Sequence, residues 1–179
     1  MKYFLDTEFQ EIDYTQPVQL ISIALLCEDG RSYYAELDGI DYASLDPWLQ
    51  ENVVPHLLGA VEVGVTKPRE TIADEIVEFF APDEGHIEIW AYYGAYDWLH
   101  FCQLFGRMVG IPKGLPRHYM DLRMLADLAG VRKRNFPKRG PTAHNALADC
   151  LWNKELYELL TTAYNASTNG LEGMKGKLS

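Results

Sequence analysis

The sequence Met1-Lys2-Tyr3-Phe4-Leu5-Asp6-Thr7-Glu8-Phe9 decides how this chain begins to fold. Its apolar residues predict a buried strand, yet Asp6 and Glu8 lie within it. Side chains alternate along a strand, so these two carboxylates share one face. They repel each other unless a cation lies between them or one of them takes a proton. The pair therefore predicts either a divalent metal site or a solvated strand end.

The composition is that of an ordinary globular protein. The 179 residues are 47% hydrophobic and 23% charged, which suits one domain with a substantial core. No apolar run approaches the roughly 20 residues of a membrane span. Asp6 comes too early for a signal-peptide core. We expect one domain over residues 1–164, a mobile tail over 165–179 and no membrane partner.

The cysteines and the net charge limit the cellular compartment and the class of function. Cys27, Cys102 and Cys150 match no disulfide or zinc spacing, so reduced thiols and a cytoplasmic location are expected. A net charge of -10 argues against a protein that coats nucleic acid. It allows an enzyme that handles one nucleic-acid end through a local basic patch. Residues 131–140 form such a patch without any acid; its cations are Arg132, Lys133, Arg134, Lys138 and Arg139.

The first part of the chain predicts an antiparallel meander. Strands are expected over 2–9, 18–27 and 31–37, with a polar turn over 10–17. Asp29-Gly30 is a favoured hairpin turn between the second and third strands. Three strands joined by short links are typical of a meander.

The remainder predicts helices around one further strand. In chain order, the pattern indicates a helix from Asp46-Pro47 to about Val54, a helix over 71–80, a strand over 86–92, a helix over 96–105, a short helix over 121–129 and a last helix from Thr142 or Ala143 to about Tyr164. Two apolar faces are expected to join the core: Ile72, Ile76, Val77 and Phe80, and then Leu122, Leu125 and Leu128. The whole is an α/β fold with one antiparallel section.

Three more residues could join the acid pair. Asp97 falls in the first turn of a predicted helix, where a carboxylate is favoured by free backbone N–H groups. Asp149 lies within an apolar stretch, and a buried acid needs a partner. His144 lies five residues earlier, near the start of the last helix. Each has a plain structural interpretation when taken alone.

Taken together, these residues resemble a known class of enzymes. Asp6-x-Glu8, then Asp97, then His144-x-x-x-x-Asp149 resembles the DEDDh class of 3′-to-5′ exonucleases, which includes ribonuclease T, oligoribonuclease and polymerase proofreading domains. The similarity covers residues 4–150. The string Tyr-Phe-Leu-Asp-Thr-Glu-Phe is most similar to the small actinobacterial exoribonucleases of the ribonuclease AS group, which degrade adenylate-rich RNA. Tyr93 departs from the wider class, where many members have Asn.

The resemblance implies a fold and a mechanism. The fold would be ribonuclease H-like, with helices on both faces of a mixed sheet. Two Mg²⁺ ions, or Mn²⁺ as a substitute, would bind four acids: Asp6 as the bridge, Glu8 and Asp149 at the water-activating metal, and Asp97 at the second. His144 would be the general base, because its ordinary pKa of about 6.5 suits proton transfer at neutral pH. The five residues would hydrolyse single-stranded RNA from its 3′ end to nucleoside 5′-monophosphates.

Substrate contacts and assembly are also implied. Glu8 and the backbone near Thr7 would hold the terminal 3′ hydroxyl. Phe9 and Trp98 are candidates for base stacking, with core packing as the alternative for each. In the basic loop, the principal candidates for contacts with upstream phosphates are two arginines, Arg132 and Arg134. A homodimer is expected on the resemblance alone.

Other functions remain open at this point. A 3′–5′ DNA exonuclease of proofreading or repair type would use the same chemistry, and no feature of the sequence separates RNA from DNA. A catalytically silent nucleic-acid-binding module would be expected to have lost at least one of the five residues. A zinc enzyme is disfavoured, because His and Cys ligands at suitable spacing are missing.

Overall fold

A six-stranded mixed sheet forms the centre of the molecule. The computed structural model describes residues 1–11, 17–59, 61–81, 83 and 85–175, with side chains up to residue 167. The strands are β1 (Lys2–Gln10), β2 (Gln19–Cys27), β3 (Ser32–Leu37), β4 (Thr66–Lys67), β5 (Glu88–Ala91) and β6 (Met120–Asp121). Their order across the sheet is β4-β3-β2-β1-β5-β6. β1, β2 and β3 pair antiparallel, and the remaining neighbours are parallel.

Five α-helices accompany the sheet within the described residues. They are α1 (Pro47–Asn52), α2 (Arg69–Phe80), α3 (Ala95–Leu104), α4 (Leu122–Leu128) and α5 (Ala146–Lys175). Short 3-10 turns cover Tyr42–Ser44, Val54–His56, Met108–Gly110 and Lys133–Asn135. No helix in the described part of the chain is both long and apolar enough to cross a bilayer.

Helices cover both faces of the sheet, as the resemblance implied. Tyr3 and Leu5 of β1 pack with the buried faces of α2 and α3. Phe4, which points the other way, packs with α4 and α5. A smaller cluster joins Leu49 of α1 to Ile21 of β2. The predicted α/β fold with its initial meander is therefore confirmed.

Several predicted boundaries were wrong. α5 begins at Ala146 rather than at Thr142 or Ala143, and it continues to Lys175 rather than ending near Tyr164. The two-residue strands β4 and β6 were missed, because so short a segment carries no periodicity.

Two core assignments also need correction. Leu128, the last residue of α4, is 70% exposed, whereas Leu122 is buried and Leu125 packs against the core. On α2, Ala73 joins Ile72 and Ile76 in the buried face, whereas Val77 is only half-buried. The predicted turn over 10–17 falls largely outside the described residues, and the mobility of residues 165–179 stays a prediction.

Candidate active site

β1 presents its acid pair and its threonine to opposite faces of the sheet. Phe4 packs on the α5 side, so strand alternation places Asp6 and Glu8 on that side as well. Thr7 lies on the other face. There its backbone N–H and its hydroxyl donate to Asp97 Oδ1 at 2.8 and 2.6 Å. Thr7, which we expected beside the substrate, thus holds Asp97 in position.

A tight turn after β5 places Asp97 at the edge of the sheet where β1 ends. β1 and β5 run parallel, so their carboxyl ends meet there. The turn contains Tyr93 at φ 55° and Gly94, whose N–H donates to Asp121 Oδ2 at 3.2 Å. A Cβ on Gly94 would lie 2.5 Å from Ala91 Cβ, so only glycine fits. The first turn of α3 then places Asp97 beside β1.

The start of α5 brings in the remaining two residues. Asn145 caps the helix, because its Oδ1 accepts from the N–H groups of Leu147 and Ala148 at 3.1 Å each. Asp149 follows one turn later, and its Oδ2 accepts from the His144 N–H at 3.2 Å. This capping explains why the helix starts later than predicted.

His144 itself has an unusual backbone. Its φ is 69°, in the left-handed region where a non-glycine residue costs about 1–3 kcal/mol. Its ring meets the Trp48 ring edge-on, with the two centroids 5.0 Å apart. The strained turn directs the imidazole into the acid cluster: His144, Glu8 and Asp149 each offer a ligand atom within 4.8 Å of the others.

One arginine partly compensates the negative charge of the acid cluster. Arg139 Nη1 forms a short ion pair with Asp149 Oδ1, and its guanidinium lies 4.3 Å from the centre of the Trp152 ring. The side chain of Asp149 is 6% exposed, against 35% for Arg139. Arg139 belongs to the predicted basic loop, but in the structure it reaches the acids themselves.

Crowding and burial favour the protonated forms of Asp6, Glu8 and Asp97. Glu8, Asp97 and Asp149 are buried, while Asp6 is half-buried at the centre. Burial, with repulsion from Asp149 and Asp97, raises the pKa of Glu8 to about 8. Burial, followed by repulsion from the other three acids, raises the pKa of Asp6 well above its ordinary value. Arg139 opposes both shifts.

The pKa of Asp97 is also raised, but by less. Burial raises the pKa of Asp97 to about 6, although the two hydrogen bonds from Thr7 oppose that rise. Four carboxylates with one cation between them are a set of oxygen donors in need of positive charge. Oxygen donors are also the ligands that Mg²⁺ and Mn²⁺ prefer.

The acids line a cleft bordered by aromatic residues. Its volume is about 330 Å³, and besides the four acids it is lined by Thr7, Phe9, Tyr92, Tyr93, Tyr96, Arg139 and His144. Next to it lies a depression of about 480 Å³, which shares Glu8, Phe9 and His144 with the cleft. Trp48 lines this depression and is 51% exposed. The two cavities form one open groove across the carboxyl end of β1.

The predicted substrate contacts fall in different places. Phe9 lines both cavities, and its ring also packs against Tyr96. Trp98 instead stacks on Phe101 at 5.1 Å and packs against the core, which is the alternative that the sequence left open. Arg132 lines a neighbouring basic cavity, whereas Arg134 is exposed on the same loop.

Two residues of the site escaped the sequence analysis. Arg139 was grouped with the other loop cations, because charge alone does not show that one of them pairs with a residue ten positions later. Trp48 was seen only as part of a helix that starts at Asp46-Pro47. An exposed tryptophan in the first turn of a short helix was the available signal.

Comparisons with known proteins agree with this geometry. Residues 1–161 match the family model of the Rv2179c-like 3′-5′ exoribonuclease domain. Over 167 residues the chain is 35% identical to the 3′-5′ exoribonuclease Rv2179c of Mycobacterium tuberculosis H37Rv. That alignment covers 93% of this chain and 96% of the relative.

Solved structures with much lower identity share the fold. Escherichia coli exonuclease I in complex with a dT13 oligonucleotide superposes with a TM-score of 0.64 at 15% identity, over 95% of this chain and 43% of that protein. The cell-death related nuclease CRN-4 gives 0.56 at 12% identity, over 90% of this chain and 63% of that one. This chain thus spans less than two thirds of the length of either structure.

The family match covers most of the chain, and the five residues of the DEDDh pattern converge in one cleft. The fold is also that of exonucleases. The chain therefore belongs to the Rv2179c-like 3′-5′ exoribonuclease domain family.

Proposed function

We propose that this protein is a metal-dependent 3′-to-5′ exoribonuclease that acts on single-stranded RNA and releases nucleoside 5′-monophosphates. The observation that carries the proposal is the convergence of Asp6, Glu8, Asp97, Asp149 and His144 in one cleft, in a chain of this family.

The donor set suits two divalent cations. Asp6, Glu8, Asp97 and Asp149 would hold them, with Mg²⁺ as the proposed ion and Mn²⁺ as a substitute. The raised pKa values of Asp6, Glu8 and Asp97 support this, because they reflect carboxylates whose negative charge lacks compensation. When bound, such ions neutralise charge on the scissile phosphate and acidify water.

The protein groups supply positioning and proton transfer. His144 lies beside Glu8 and Asp149, so its imidazole can take the proton of an attacking water. The N–H of His144 donates to Asp149, which keeps the base next to that acid. Thr7 fixes Asp97 by two hydrogen bonds and thereby fixes the distance between β1 and α3 acids.

The depression beside the cleft suits the terminal nucleoside. Glu8 would accept from the 3′ hydroxyl, so a free 3′ end would be selected. Phe9 and the exposed face of Trp48 would stack on the terminal base. We propose a preference for adenylate-rich RNA on the resemblance to the ribonuclease AS group, and stacking on these two rings is compatible with it.

The domain bounds and the compartment are proposed from the sequence, and the homodimer on the resemblance alone. We infer one exonuclease domain over residues 1–164, a homodimer and a cytoplasmic location. The three cysteines, all free and buried, are consistent with a reducing compartment. Light scattering after size-exclusion chromatography would measure the mass, and a monomer at micromolar concentration would contradict the dimer.

Matched oligonucleotides test the substrate. The protein would be incubated with 5′-labelled poly(A), poly(U), poly(C) and DNA of equal length, with Mg²⁺, Mn²⁺ or EDTA. We expect RNA to be shortened faster than DNA, and poly(A) fastest, with no reaction in EDTA. Faster cleavage of DNA would instead favour a DNA exonuclease, for which the exonuclease I fold offers a parallel in shape only.

A further inference from the structure

A second cavity lies beside the catalytic cleft, on the side opposite Trp48. It has a volume of about 410 Å³, within the range of nucleotide-sized sites. α4 and the following basic loop form most of it. Tyr92 and Tyr93 line both this cavity and the catalytic cleft, so the two are continuous.

The charges of this cavity are mainly positive. Arg123, Arg132 and Lys133 line it together with one acid, Asp127. Arg123 is paired with Asp127. Arg132 and Lys133 are exposed, and neither has an ion-pair partner in the part of the chain that the structure describes. Two uncompensated cations thus face a cavity that opens on the acid cluster.

The depression on the other side has the opposite charge. Glu8, Glu11 and Asp46 line it, with His144 as the one basic group. A phosphate backbone is repelled by that side and attracted to the side of Arg132 and Lys133. The charge asymmetry therefore gives the groove a direction for a polyanion that enters the cleft.

Tyr93 stands where the two cavities meet. This residue is 62% exposed. Its φ of 55° is strained for a residue with a side chain, and the turn is fixed by the Ala95 N–H, which donates to Tyr93 O at 2.8 Å. The ring packs edge-to-face against the Tyr92 ring, with the two centroids 4.7 Å apart, and its exposed part offers a surface for stacking.

We propose that this basic cavity binds the upstream nucleotides of a single-stranded substrate, with Arg132 and Lys133 on the phosphates and Tyr93 stacked against the base next to the scissile bond. The inference rests on the proposed function and deepens it, because it says where the upstream part of the RNA strand binds. It also makes the increase in kcat/KM with substrate length depend on these residues.

The test separates the cavity from the catalytic cleft. Turnover would be measured on oligoadenylates of two to eight nucleotides, for wild type and for the Arg132→Ala/Lys133→Ala double variant. A dinucleotide reaches only the cleft, so its rate should stay within about twofold. The gain in kcat/KM between the dinucleotide and the octanucleotide should fall on the order of tenfold in the double variant. Removing two phosphate contacts should also reduce the salt slope of log kcat/KM by about 1.4.

A matched control removes the same charge elsewhere. The Arg107→Ala/Lys113→Ala variant loses one Arg and one Lys from the loop after α3, outside both cavities. It should keep the length gain of wild type. An equal loss in this control would overturn the proposal, because it would show a general effect of net charge.

Tyr93 is tested by binding, without turnover. Fluorescence anisotropy with a labelled oligoadenylate in EDTA should show about tenfold weaker binding for Tyr93→Asn and little change for Tyr93→Phe. Asn tolerates the left-handed backbone, so the variant removes the ring rather than the turn. Equal binding by Tyr93→Asn and wild type would contradict the stacking role.

Different results would overturn the cavity proposal and the proposed function. Normal turnover with no effect of the Arg132→Ala/Lys133→Ala change would overturn the cavity proposal and leave the proposed function intact. Absence of turnover at every length, with weaker binding by the double variant in EDTA, would overturn the proposed function and support the cavity as a nucleic-acid site.

Discussion

Replacing Glu8 by Gln should change how the stability of the metal-free protein depends on pH. The pKa of Glu8 is about 8 in the folded protein, against an ordinary value of 4.5. The folded state therefore holds a proton that the unfolded chain has already lost. The stability linked to that proton is present below pH 4.5 and is lost as pH rises towards 8. Gln has no titratable proton, so the Glu8→Gln variant should not lose this stability as pH rises.

The magnitude follows from the two pKa values. Each pH unit between them costs about 1.4 kcal/mol, so wild type should lose about 2 kcal/mol from Glu8 between pH 6 and pH 8. For a chain of this size that corresponds to a fall in Tm of about 4–8 °C.

Circular dichroism melts in EDTA at the two pH values would measure this loss. The exposed Glu155 on α5 supplies a matched control as Glu155→Gln, which should behave as wild type. Adding Mg²⁺ at pH 8 should raise the Tm of wild type more than that of Glu8→Gln, because the cation removes the repulsion. An equal loss of stability by Glu8→Gln and wild type between pH 6 and pH 8 would show that the raised pKa of Glu8 does not cause the loss.

Three further variants test the site and its surroundings. His144→Asn, which keeps the left-handed backbone, should lower kcat by about 10²–10⁴-fold yet retain Mn²⁺ binding in a calorimetric titration; loss of binding would contradict its role as base. Arg139→Ala should tighten Mn²⁺ binding by about fivefold, or ~1 kcal/mol, because the cation paired with Asp149 is removed; weaker binding would show that Arg139 supports the metal site. His100 is buried with both ring nitrogens unpartnered among the described residues, and burial lowers its pKa to about 4. The stability linked to neutral His100 is present above pH 6.5 and is lost as pH falls towards 4. In urea unfolding, wild type should therefore lose about 2 kcal/mol between pH 6.5 and pH 5, and His100→Leu should not. Equal losses of stability by the two proteins would refute this.

The central strands and the acids could be predicted because their signals are local or strongly patterned. The alternation around Asp6 and Glu8 showed that the two carboxylates share a face, and the structure places both on the α5 side. Asp149 stood out because an acid is expensive in apolar surroundings without a partner, and Asp97 because it falls in the first turn of a predicted helix. The order of the motifs, through the resemblance, then joined residues that lie far apart in sequence.

The remaining features depend on contacts between distant segments. The pairing of Arg139 with Asp149 and the hydrogen bonds from Thr7 to Asp97 arise only when β1, α3 and α5 meet. The positions of Trp98 and Trp48 could not be predicted for the same reason. Both are aromatic residues in the first turns of helices, and only the orientation of each helix decides that one packs in the core and the other faces the groove.

The direction of cleavage and its dependence on metal ions decide whether the acid cluster is a metal-dependent 3′-to-5′ exonuclease site. Single-stranded RNA labelled at the 5′ end would be followed over time with Mg²⁺ or EDTA, for wild type and for Asp6→Asn. We predict a ladder that shortens one nucleotide at a time from the 3′ end, with nucleoside 5′-monophosphates as products, and no ladder in EDTA or with Asp6→Asn. Undiminished cleavage in EDTA, internal cuts, or full activity of a folded Asp6→Asn protein would contradict it.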